Sequence, residues 1–220
     1  KIWEKAYGNP TFPNHEWAYD ILETKDGGFL IAGARDRYSD GSVNGLLISI
    51  DKKGELIWEK EYPDDGNNSE TFYSITKSND GNYYLCSTLN SASNNNLYQP
   101  KIIKIDALGN IGWERTLTSD SRKYHQFRAT STLNGNVVIV GSSSLDLPDG
   151  PKEDAFLTRI DSKGNILWTN AYGSYDEDDW GWSVFETPQE NIVFVGSTKS
   201  FGSSLFDIYL VGTNSNGISK

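Results

Sequence analysis

Short runs of alternating apolar and polar residues, interrupted by turn signals, cover most of this chain. Alternation with period two, in runs rich in Val, Ile, Tyr and Trp, predicts strands that bury one face. No segment carries the 3.6-residue period of an amphipathic helix. Residues 46–62 (LLISIDKKGELIWEKEY) show the unit clearly: an alternating strand, an Asp-x-x-Gly turn, and a second strand that carries a tryptophan. Residues 101–117 (KIIKIDALGNIGWERTL) and 155–172 (AFLTRIDSKGNILWTNAY) repeat it. A second hairpin recurs in residues 73–88 (YSITKSNDGNYYLCST) and 184–198 (VFETPQENIVFVGST). Asp80-Gly81 and Asn134-Gly135 supply the positive φ that tight hairpin turns need.

These units recur at a fixed period. Trp3, Trp58, Trp113 and Trp168 lie 55 residues apart. Gly33, Ser87, Gly141 and Gly196 follow at 54, 54 and 55, and Asp51, Asp106, Asp161 and Asn214 at 55, 55 and 53. Four short antiparallel strands in a unit of this size make a propeller blade. The expected fold is all-β: one four-bladed β-propeller domain over residues 1–220. Its repeats are placed near 9–62, 63–117, 118–172, and 173–220 together with 1–8. The last unit stops where its tryptophan strand would begin, and residues 1–8 (KIWEKAYG) read as that strand. The expectation is that they close the ring as the outer strand of the last blade, removing an open sheet edge and favouring a monomer. A fragment of a longer array, with two exposed blade faces, is the competing expectation.

Asp-x-x-Gly followed four residues later by Trp resembles the tryptophan-docking repeat of quinoprotein propellers. It is even more similar to the β-propeller repeats of bacterial and archaeal cell-surface and secreted proteins. Residues 155–173 and 176–184 carry that likeness most fully. The resemblance covers the chain and implies architecture, an extracellular or cell-surface location, and tryptophans 3, 58, 113 and 168 packed between blades. It does not bring the quinone cofactor, because no equivalent ligand set is present.

Composition narrows the function classes. Twenty basic residues stand against thirty acidic ones, a net charge of −10. That argues against a nucleic-acid partner or an anionic membrane surface. No apolar run is long enough for a membrane-spanning helix. The single cysteine, Cys86, excludes an intramolecular disulfide and reads as buried and inert. No leader pattern is visible at Lys1, which opens in the middle of the repeat.

Candidate binding residues fall on the long connections that differ from repeat to repeat. Trp17, Tyr98, Tyr124, His125, Trp180 and Trp182 lie in or beside them. Aromatic rings flanked by Asp, Asn and His can stack on sugars, although the same tryptophans also read as core. Asp176, Asp178 and Asp179 sit in the densest acidic run, whose oxygens suit Ca²⁺. A solvated turn is the plainer reading of that run, and of residues 146–150. His15 and His125 occupy related connections, so a paired-histidine site is weighed against repeat ancestry. No Gly-x-Ser-x-Gly, His-Glu-x-x-His or phosphate loop occurs. The expected function is a binding or scaffold module without a catalytic set, taking a carbohydrate or a protein on the long-loop face. A small propeller hydrolase or lyase and a purely structural repeat are the alternatives.

Overall fold

The computed structural model describes residues 2–8, 14–37, 41–63, 68–91, 97–117, 123–145, 152–174, 176–203 and 205–219. Among the described residues, fifteen strands form four antiparallel sheets, each built in chain order. Sheet one holds β1 (Glu16–Glu23), β2 (Phe29–Arg37), β3 (Ser42–Ile50) and β4 (Leu56–Tyr62). Sheet two holds β5 (Asn68–Lys77), β6 (Tyr83–Ser91), β7 (Leu97–Ile105) and β8 (Ile111–Thr116). Sheet three holds β9 (Lys123–Ser131), β10 (Val137–Leu145), β11 (Lys152–Ile160) and β12 (Ile166–Tyr172). Sheet four has three strands: β13 (Asp179–Glu186), β14 (Ile192–Thr198) and β15 (Asp207–Thr213).

The Asp/Asn series marks the turn between the third and fourth strands. Asp51 Oδ1 accepts hydrogen bonds from the backbone N–H of Lys53 and Glu55, both at 2.8 Å. Asp106, Asp161 and Asn214 make the same pair of bonds in their own units. The glycine three residues on takes positive φ: 79° at Gly54, 72° at Gly109, 88° at Gly164 and 73° at Gly217. A tryptophan from the preceding unit rests on each of these glycines: Trp3 on Gly54, Trp58 on Gly109, Trp113 on Gly164 and Trp168 on Gly217. A side chain there would meet both the backbone strain and the indole.

Buried side chains form a layer between each pair of neighbouring sheets. Leu30, Ala32 and Leu47 of sheet one meet Phe72, Leu85 and Ile103 of sheet two. Cys86 and Ile102 meet Val137, Ile139 and Phe156 of sheet three. Val140 and Leu157 meet Val184, Ile192 and Phe194 of sheet four. The first strands β1, β5, β9 and β13 lie side by side, so the sheets radiate from them.

The expectation that the N-terminal strand completes the last blade is not met in this structure. Residues 2–8 belong to no strand, and sheet four ends at β15. The segment is held instead on sheet one, by Lys5 against Glu55 at 2.9 Å and by the Tyr7 hydroxyl donating to the Gly54 carbonyl at 2.9 Å. Tyr62 and Tyr172 make the same bond to Gly109 and Gly217. Residues 2–8 thus sit, relative to sheet one, where a fourth strand sits relative to the sheet that follows it.

Candidate functional site

A carboxylate holds the same register position at or near the start of the first strand in three of the four sheets: Glu16 opposite Arg35, Glu70 opposite Leu89, and Asp179 opposite Thr198. Tyr124, opposite Ser143, holds the corresponding place in β9. Each carboxylate is fixed differently. Arg35 Nε binds Glu16 at 2.5 Å, and its Nη1 reaches Glu59 at 3.1 Å and Glu61 at 2.7 Å. Burial disfavours the guanidinium charge, but the three glutamates outweigh it and raise the Arg35 pKa.

Glu70 is buried and accepts from the Ser87 hydroxyl at 2.5 Å, with Lys101 Nζ at 3.4 Å and Glu114 beyond it, 2.9 Å from Lys101. Burial holds the Glu70 carboxyl above its ordinary range, against the pull of Lys101 and Ser87. Asp179 is completely buried; it accepts from the Ser174 N–H at 3.1 Å and from the Ser200 hydroxyl. Its Oδ1 has no hydrogen-bond partner among the described residues. Gly173, at φ 139°, leaves the space that Asp179 occupies.

The acidic run does not converge on one point. Asp178 pairs with Lys199 at 2.8 Å and accepts from the Glu153 N–H at 3.3 Å. Burial opposes its charge, but Lys199 holds its pKa below the ordinary range. Asp176 accepts from the Ser174 hydroxyl at 2.8 Å. Among the described residues, no three His, Cys, Asp or Glu side chains are grouped so as to hold a metal ion.

The expected aromatic residues occupy separate places. Trp17, His125 and Trp180 share one repeat position, opposite Ala34, Ser142 and Ser197. Trp17 is exposed on sheet one, its ring 5.8 Å from that of His15. Trp180 stacks on Phe206 at 4.4 Å and meets the edge of Trp182 at 5.8 Å. Trp182 donates to the Ser197 hydroxyl at 3.2 Å, while the buried Trp180 indole N–H has no partner among the described residues. Tyr98 lies partly exposed in β7, opposite Asn90. The side chains of Tyr124 and His125, residues 146–150, and much of the long connections (9–13, 64–67, 92–96, 118–122) lie outside the described residues.

Two further aromatics, Tyr19 and Tyr73, went unread in the sequence and share a structural position with Trp182. The first strands bulge at Ala18/Asp20, Phe72/Ser74 and Gly181/Ser183, and the inserted residues are Tyr19, Tyr73 and Trp182. Tyr19 and Tyr73, from adjacent sheets, stand 4.9 Å apart between ring centroids. A bulge turns its extra residue out of the ladder. Tyr19 and Trp182 are consequently exposed, each three residues after the carboxylate of its strand. The spacing of 54 residues between Tyr19 and Tyr73 matches the glycine series and was the available signal.

No protein-family model and no curated protein sequence matches the chain. Solved structures do match in fold. An ulvan lyase, from a new family of polysaccharide lyases, superimposes with a TM-score of 0.63 at 8% identity over 93% of this chain and 53% of its own. The endo-arabinase of Bacteroides thetaiotaomicron gives 0.55 at 13% identity, over 89% and 73%. The β-propeller domain of the Trilobed protease from Pyrococcus furiosus gives 0.50 at 10% identity, over 89% and 54%. The chain therefore spans about half the length of the lyase and of the protease domain. Four antiparallel sheets radiating from their first strands, with these likenesses, make the fold propeller-like and all-β.

Proposed function

We propose that this chain is a carbohydrate-interacting propeller segment that holds sugar rings against the bulge aromatics of its first strands. One observation carries the reading: the same bulge in three sheets inserts Tyr19, Tyr73 and Trp182, each three residues after a carboxylate, and Tyr19 and Trp182 are exposed. Exposed aromatic faces with a few fixed polar groups suit the alternating apolar and hydroxylated faces of a sugar. Glu16 and Glu70 are tied to Arg35, Ser87 and Lys101, so they fix the frame and the aromatics supply the contact. The net charge of −10 favours neutral glycans over sulfated or uronic ones. The lyase and the arabinase, both propeller-like matches named for action on polysaccharides, support the glycan class. A secreted or surface location belongs to the same reading.

The test is titration calorimetry against a panel of neutral and acidic oligosaccharides, with Tyr19→Ala and Tyr73→Ala beside the parent chain. Binding of a neutral glycan, lost in the variants while the melting temperature holds, is the expected result. A parent chain that binds no glycan, or variants that bind as the parent does, sinks the proposal.

A hydrolase or lyase reading rests on the lyase and arabinase matches, with Glu70, held by the Ser87 hydroxyl, as the candidate acid. Glycan cleavage by the parent chain, abolished in Glu70→Gln with binding retained, would favour it over simple binding.

A further inference from the structure

The boundary between sheets three and four brings two carboxylates together. Asp154 lies in β11, opposite Ser143, and Asp179 lies in β13, opposite Thr198. Both approach the backbone at Gly173: a Cβ there would lie 2.8 Å from Asp179 Cγ and 3.0 Å from Asp154 Oδ1. Glycine at φ 139° leaves that space to them. Burial, followed by the charges of Asp179 and Asp154, pushes the Tyr209 hydroxyl up to about 12, so the phenol lies near the same pair.

The other two boundaries do not repeat this pair. In the register of the repeat, Asp154 corresponds to Asn44 and Gln99, and Asp179 to Glu70 and Tyr124. One boundary thus sets an amide with a carboxylate at these positions, the next an amide with a phenol, and the last two acids. The Asp179 charge is only half answered. Asp179 is completely buried, and its Oδ2 accepts from the Ser174 N–H and the Ser200 hydroxyl. Its Oδ1 meets no donor among the described residues. Lys199 and Lys152 pair with other acids, Asp178 at 2.8 Å and Glu177 at 4.0 Å. A charged oxygen enclosed without a donor, close to a second carboxylate, is costly unless a cation meets it.

We propose that Asp154 and Asp179 hold a calcium ion that clamps sheet three to sheet four. Calcium accepts carboxylate, carbonyl and water oxygens in flexible arrangements, so two carboxylates suffice when water completes the shell. Magnesium demands a stricter octahedron and gives up water reluctantly, which suits this pair less. With only two acidic ligands the affinity is modest, with a Kd on the order of 10⁻⁴ M. Asp176 and Asp178 take no part, because they are bonded to Ser174 and Lys199. Asp179 therefore meets its co-ligand across the boundary rather than along the acidic run. The site is separate from the bulge aromatics and stands or falls without them.

Thermal melts in calcium chloride, magnesium chloride and EDTA test the clamp. At about a hundredfold excess of calcium over that Kd, the melting temperature is expected to rise by about 5 °C over its value in EDTA. Asp154→Asn is expected to melt above the parent in EDTA, where like charges repel, and below it in calcium, where a ligand is missing. Terbium, a calcium substitute whose emission is excited through nearby aromatic rings, gives a second readout. It is expected to luminesce with the parent chain and to lose that emission in Asp154→Asn and Asp179→Asn. Asp176→Asn is expected to leave both readouts as they are. A melting temperature indifferent to calcium, or raised equally by magnesium, overturns the proposal. Indifference to calcium with a gain from Asp154→Asn would mean that the pair shares a proton instead. A calcium response that survives Asp154→Asn, or that Asp176→Asn abolishes, overturns it too and moves the ion to the acidic run.

Discussion

The Tyr62 hydroxyl donates to the carbonyl oxygen of Gly109, 2.7 Å away across the boundary between sheets one and two. Trp58 lies on the same glycine. Tyr62→Phe removes the bond but keeps the ring, and is expected to cost about 1 kcal/mol in denaturant unfolding. Gly109→Ala is expected to cost more, about 1–2 kcal/mol, because φ is 72° and a Cβ would lie 2.8 Å from the Tyr62 oxygen. Equal costs for the two variants would show that the glycine's conformation is not the stricter requirement.

Arg35 bridges Glu16, Glu59 and Glu61. Arg35→Met would leave the largely buried Glu16 uncompensated, and a loss of about 3 kcal/mol is expected. Glu16→Gln in the Arg35→Met background is expected to restore part of it. A double-mutant cycle with no coupling between the two sites would refute the pairing.

Acid stability should carry the mark of the turn aspartates. Backbone hydrogen bonds come first among the causes that lower the pKa of Asp51 and Asp106, and the Asn165 amide is the largest for Asp161. A depressed carboxyl stabilises the fold above its unfolded pKa and gives that up as pH falls through its folded value. Asn214 makes the same turn bonds without titrating. Replacing Asp51, Asp106 and Asp161 by Asn is expected to flatten the acid limb of melting temperature against pH, with little change at pH 7. An unchanged acid limb would locate acid sensitivity elsewhere.

Glu70 has the opposite sign. Its raised pKa means that the native state holds the proton more tightly than the unfolded chain does. Its contribution is therefore greatest below the unfolded value and declines as pH rises through the folded one. Glu70→Gln is expected to remove that decline and to match or exceed the parent in stability at pH 7. A marked loss at pH 7 would show that the Lys101 charge depends on Glu70 more than on Glu114.

Cys86 is fully buried, and burial pushes its thiol up to about 12. The native chain is expected to resist thiol reagents at pH 8 and to react once unfolded. Prompt labelling of the native chain would mean that the boundary between sheets two and three opens readily.

Architecture was legible in the sequence wherever one residue type answered one local demand. The Asp series marks turns whose side chain caps two N–H groups, the glycine three residues later takes positive φ, and the spaced tryptophans find those glycines. The site was less legible. Trp17, His125 and Trp180 occupy one register position, yet their surroundings differ because Trp180 lies on an uncovered end face and Trp17 at the other end of the array. Glu16, Glu70 and Asp179 share a register too, but charged residues at strand starts read as solvated until Arg35, Lys101 and Ser200 are seen against them. Tyr19 and Tyr73 were hidden because a bulge shifts the alternation by one and makes an outward ring look like a core position. Closure by residues 1–8 was read from the repeat pattern, and in the structure residues 2–8 lie on sheet one and pair with no strand of sheet four. The sequence carried no information on the angle between sheets that decides where that strand can reach.

Each tryptophan rests on the turn of the unit that follows it, so the unit that repeats in sequence is offset from the unit that packs. A duplication of 55 residues copies four complete strands together with half of two boundaries, and those halves fit the copies on either side. Such a chain can lengthen or shorten by whole repeats without redesigning a single contact, which gives it an inheritable way to change the number of its sheets.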